Sequence, residues 1–77
     1  MSTVVETKDL TLYGCPLHYI KAREALGNIE LEQMLLFIVN NGKAVEEILA
    51  SLRQDGHSCD VEEQETLTTT IRVTKKL

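Results

Sequence analysis

The chain has 77 residues, of which 43% are hydrophobic and 26% charged, with a formal net charge of −4; this is the balance of one small folding unit, not of a disordered chain. Its eight Lys and Arg are scattered apart from the pair Lys75-Lys76, which excludes the phosphate-neutralising surface of a general nucleic-acid binder. The longest apolar run, Met34 to Val39, is six residues, whereas a membrane-spanning helix needs roughly 20.

Met1 to Leu10 shows no basic stretch followed by an apolar one, so no export signal is expected and the cytoplasm is the expected compartment. In that compartment Cys15 and Cys59 are expected to be separate reduced thiols and not a bridge. Lys8 to Tyr13 alternates, with Leu10 and Leu12 on one side, and reads as the first strand, ended by Gly14. Pro16 suits the first position of a helix, where its missing N–H goes unnoticed, and this makes Cys15 the expected N-cap. That helix extends to Gly27, with Tyr19, Ala22 and Leu26 as the expected buried stripe, Ala25 beside them, and Leu17 and Ile20 outside it.

Glu32 to Asn40 holds the continuous apolar run and reads as a strand covered on both faces or in the sheet centre, closed by the turn Asn40-Asn41-Gly42. Lys43 to Gln54 places Val45, Ile48, Leu49 and Leu52 at i, i+3, i+4 and i+7, an amphipathic helix stopped by Asp55-Gly56. His57 to Glu63 and Leu67 to Thr74 read as the last two strands, with Glu62-Glu63-Gln64-Glu65 as a charged hairpin turn. The order βαβαββ predicts an α/β (α+β) two-layer sandwich, a four-stranded mixed sheet with two helices on one face, formed by residues 1–77 as one domain. Its crossover connections should make the first three strands run in one direction.

Chemistry concentrates at Cys15. A sulfur at a helix start faces unpaired N–H groups and the positive end of the helix dipole, and both favour the nucleophilic thiolate. Against this stands the ordinary fate of a free cysteine, a half-buried and inert small side chain. Gly14 lets the backbone turn tightly before the sulfur, and Pro16 adds no competing N–H. His18, one helical turn on, either supports the thiolate or packs. Leu17 and Ile20 are candidate apolar contacts for a partner, with Lys21 and Arg23 as charged ones. Cys15, His18, His57 and Cys59 have the element set of a zinc site, but the topology puts His57 and Cys59 at the opposite end of the sheet. No metal and no cofactor is therefore expected.

The run Leu12-Tyr13-Gly14-Cys15-Pro16-Leu17-His18, followed by Lys21-Ala22-Arg23-Glu24-Ala25-Leu26, resembles the signature of the TusA/SirA-like sulfur carriers. An apolar second strand, the helix around Ala44-Val45-Glu46-Glu47-Ile48 and then Gly56-His57 follow in that family's order. The resemblance implies a carrier and not a freestanding catalyst. Cys15 would accept sulfane sulfur as a persulfide from a cysteine desulfurase or rhodanese-like protein and relay it to an acceptor protein, for tRNA thiolation or sulfur metabolism. No membrane and no direct nucleic acid would be involved. The chain departs from the family pattern at two places: His18 replaces the second proline of Cys-Pro-x-Pro, and Asn40-Asn41-Gly42 replaces Asp-Asp-Pro. A binding or regulatory module that retains the fold without the relay is the alternative.

Overall fold

The structure is a computed structural model that describes residues 4–14 and 16–77; Cys15, and with it the expected N-cap and reactive sulfur, lies outside the described residues. The elements follow the order β1 (Val4–Asp9), α1 (Leu17–Gly27), β2 (Met34–Asn40), α2 (Lys43–Gln54), β3 (Ser58–Gln64) and β4 (Thr68–Thr74). They form a four-stranded sheet in the order β1-β2-β4-β3. β1 and β2 are parallel, and β4 is antiparallel to both β2 and β3, so the first three strands share one direction, as the connections predict. β4 is inserted between β2 and β3.

Register explains where the core lies. Leu35, Phe37 and Val39 of β2 pair with Val73, Ile71 and Thr69 of β4, and all six are buried. These pairs share one face of the sheet because side chains alternate with a period of two. The intervening residues Met34, Leu36 and Ile38 are only half-buried, so the six-residue apolar run is covered fully on one face. Ala22 and Leu26 of α1 and Ile48 and Leu52 of α2 join the core, with Tyr19, Ala25, Val45 and Leu49 packed partly against it. α2 buries the centre of the stripe its spacing predicts, with Val45 and Leu49 at its margin, whereas on α1 the fully buried residues are His18, Ala22 and Leu26, and the expected Tyr19 is only partly covered. Gly42 and Gly56, at φ of 97° and 99°, take the left-handed conformations that bound α2.

Three expectations are corrected. The first strand spans Val4–Asp9 and not Lys8 to Tyr13. The Asp9 carboxylate accepts hydrogen bonds from the Thr11 N–H at 2.9 Å and the Thr11 hydroxyl at 2.6 Å, and this local turn bends the chain before the alternation is used. Leu10 is buried, but Leu12 is 93% exposed. The same two hydrogen bonds hold the Asp9 carboxyl below the usual carboxylate range.

The second correction is at the start of α1, which begins at Leu17, with Pro16 in the N-cap position and no side-chain cap. The His18 N–H reaches back past the proline to the Gly14 carbonyl, and those of Tyr19 and Ile20 donate to the Pro16 carbonyl, each at 3.1 Å. Third, Glu62, Glu63 and Gln64 belong to β3, and the hairpin turns one step later, closed by the Glu65 N–H to the Thr68 carbonyl at 2.8 Å. Glu63 and Gln64 pair with Thr70 and Thr69 of β4, and Arg72 of β4 reaches across to Glu62 at 2.6 Å and Asp60 at 3.5 Å. On an edge strand such charges, with the register shift between Val61 and Glu63, discourage pairing with another chain.

Candidate functional site

The segment before α1 is tied down from outside. After the Asp9–Thr11 turn, the Tyr13 N–H donates to the Leu10 carbonyl at 3.1 Å, and Asn40, at the end of β2, donates its side-chain amide to the Thr11 carbonyl at 2.9 Å. This fixes the stretch leading to Gly14 at the sheet end where β1 and β2 finish, the edge at which open α/β sheets gather chemistry. A Cβ at Gly14 would meet nothing within 4 Å, and its φ is not in the left-handed range. The expected tight turn at Gly14 is therefore made earlier, at Thr11 and Leu12. Gly14 leaves its own surroundings open.

Leu17 and Ile20 are 51% and 42% exposed. Leu12 and Tyr13, on the other side of Cys15 in sequence, are exposed too; assigning them to a strand face concealed this. The Asp9-Leu10-Thr11 spacing, an acidic residue two before a threonine, was the signal of the turn that puts them outside. Lys21 lies with its ammonium 5.7 Å from the centre of the Tyr13 ring and 3.9 Å from the Glu24 carboxylate. These residues border a cleft of about 230 Å³ between the end of β1 and α1, which Lys8, Asp9 and Leu10 also line.

Arg23 is not part of that surface. It lines a separate hollow with Leu26, Gly27, His57 and Lys75, so the structure divides the two cations of α1 between two places. His18 behaves differently from all of these. It is 2% exposed, its Nδ1 accepts the Tyr19 N–H at 2.9 Å, and its Nε2 is buried with no hydrogen-bond partner among the described residues. A buried polar group left in that state costs about 1–3 kcal/mol. Sequence reading offered packing or thiolate support for His18 but could not show that one ring nitrogen is idle.

Cys59 and His57 stand at the far end. Cys59 pairs with Val73, Val73 with Leu35 and Leu35 with Glu6, level with the beginning of β1. The Cys59 thiol is free and buried, and burial pushes it up from its ordinary value, keeping it protonated. His57 accepts the Lys76 N–H on Nδ1 at 3.2 Å. Among the described residues no three His, Cys, Asp or Glu side chains gather as a metal site, and no helix is long and apolar enough to cross a membrane.

No characterised protein and no solved structure matches the chain at a significant level. The profile of the family Sulfurtransferase TusA does, over residues 6–75, a span that takes in most of β1, the other three strands and both helices, the loop with Gly14 and Pro16, and the buried His18. With nearly the whole length accounted for by that one profile, the chain belongs to the TusA sulfurtransferase family.

Proposed function

We propose that the protein is a sulfur carrier whose working atom is the sulfur of Cys15. In loading, the Cys15 thiolate attacks the terminal sulfur of a donor persulfide; the new S–S bond forms as the donor's breaks, and the electron pair leaves with the donor thiolate. In unloading, an acceptor thiolate attacks the outer sulfur and Cys15 departs as thiolate. The two steps balance without an external oxidant or reductant. A cysteine desulfurase or rhodanese-like protein is the donor, a thiol-bearing protein the acceptor, and a reducing cytoplasm the setting.

The observation that carries this reading is the family match, which spans the Gly14-Cys15-Pro16 segment at the head of α1. Physical chemistry supports it: a sulfur at a helix start is favoured as thiolate, and the neighbouring Leu17 and Ile20 are exposed, as a docking protein that excludes water requires. Lys21 beside them favours an acidic partner surface; Arg23 is assigned a lesser, peripheral role.

Intact-mass spectrometry after incubation with a cysteine desulfurase and cysteine tests the proposal. Wild type should gain the mass of one sulfur, reversibly by a thiol reductant, and Cys15→Ser should gain none. A folded wild type that gains nothing would favour the rival reading, a binding or regulatory module.

A further inference from the structure

β1 stands at one end of the strand order, and among the described residues no strand pairs with its outer side. The Leu10 N–H donates to the Ile38 carbonyl of β2 at 2.8 Å. Backbone groups alternate along a strand, so Lys8 and Glu6 also turn theirs toward β2, while Thr7 and Asp9 turn theirs to the free edge. Such an edge is a template for another strand. At the other end of the sheet β3 is guarded by Asp60, Glu62 and Glu63 and carries no cation of its own. β1 differs in bearing both signs: Glu6 and Lys8 share one face, with Nζ 3.0 Å from Oε2, and both side chains reach solvent.

A two-fold dimer sets the same patch against itself, here the β1 edge against an antiparallel copy. Residues directly opposite in such a pair both point their backbone groups at each other or both away, so every symmetric register is centred on a single residue. Centring on Glu6, Lys8 or Asp9 puts that charge against its own copy, which destabilises the pairing. Val5 falls in the irregularity between Val4 and Glu6. Thr7 is left. Centred there, the outward N–H and carbonyl of Thr7 exchange hydrogen bonds with those of the second copy. Glu6 then lies opposite the second copy's Lys8, and symmetry repeats the pair. We propose that the free edge of β1 is a self-association surface that takes a second copy of this chain, antiparallel about Thr7, with the reciprocal Glu6 and Lys8 pairs selecting the register. One short strand on each side makes a small contact, so the dimer is weak and forms only in concentrated solution.

Sedimentation velocity from micromolar to millimolar protein tests this with wild type, Lys8→Glu, Glu6→Lys, and an equimolar mixture of the two variants. Wild type should pass from monomer to dimer as concentration rises. Each variant alone faces two like-charged pairs and should associate about tenfold more weakly or worse. In the mixture every facing pair has opposite signs, so association should return to the wild-type level or above it. Both substitutions are at solvent-exposed positions, where the loss of the Glu6–Lys8 pair within one chain changes folding little. Hydrogen exchange of wild type gives a second readout: Thr7 and Asp9 N–H should slow as concentration rises, and those of Glu6 and Lys8, directed at β2, should stay constant. In dilute solution β1 remains the fast-exchanging edge. A wild type that stays monomeric throughout, a dimer indifferent to Lys8→Glu, a mixture no stronger than its components, or Thr7 exchange independent of concentration overturns the proposal. If a variant does not fold, the wild-type exchange decides.

Discussion

Tyr19 donates its hydroxyl hydrogen to Asp55 Oδ2 at 2.6 Å, tying α1 to the C-cap of α2. The accepting carboxylate raises the Tyr19 phenol above its ordinary range, and burial adds to the shift. Because the folded value is raised, this stabilisation is fully present below about pH 10, where an unfolded tyrosine titrates, and is lost as pH rises through the higher folded value. Tyr19→Phe should therefore lower stability by about 1 kcal/mol at neutral pH, and the gap to wild type should close in strongly alkaline solution. Thermal melts of both proteins across that range check this; identical melts at neutral pH would show that the bond contributes nothing. The Tyr19 backbone N–H is shared between the Pro16 carbonyl and His18 Nδ1, so the residue that joins the helices also contacts the buried histidine.

Among the elements, the turn after β2 bears more structure than its sequence suggests. Asn41 donates its side-chain amide to the Glu65 carbonyl at 2.9 Å and the Thr66 carbonyl at 3.0 Å, and accepts the hydroxyl of buried Thr69 at 2.5 Å. The asparagine that replaces the family's aspartate thus pins the β3–β4 hairpin. A carboxylate at this position accepts but cannot donate, so Asn41→Asp should cost about 1–3 kcal/mol, read as a lower urea midpoint with unchanged slope. An unaltered midpoint would mean that the two carbonyls find other donors at no cost.

On α1, Leu17 lies outside the buried stripe and is half exposed. Leu17→Ser is expected to melt within a degree or two of wild type, as surface substitutions do, yet to accept sulfur more slowly from a desulfurase. A large loss of stability with normal loading would assign Leu17 to the core instead.

For the whole molecule, strand order sets where stability resides. β2 and β4 are hydrogen-bonded on both sides and supply Leu35, Phe37, Val39, Ile71 and Val73 to the core, while β1 and β3 are edges. Native-state hydrogen exchange should be slowest in β2 and β4, intermediate in the buried turns of α2, and fastest in β1; comparable protection in β1 and β2 would contradict this order. The proposed site sits where β1 ends and α1 begins, so the least protected strand leads directly into the segment that a partner must reach.

The sequence alone determined α2 from Lys43 to Gln54 with its apolar stripe, the βαβαββ order, and Ala22 and Leu26 as core residues of α1, because each rests on local periodicity and on turn residues that bound it. The motif around Cys15 was legible for the same reason, being contiguous in the chain. Tertiary structure decided the rest. Asp9 ended β1 through hydrogen bonds to Thr11 that compete with the strand pattern, and pairing with β4 drew the acidic run into β3. The burial of His18 with one idle nitrogen likewise depended on tertiary packing. Whether a polar atom is paired is a property of everything that surrounds it in space, and neighbours distant in sequence supply most of those surroundings.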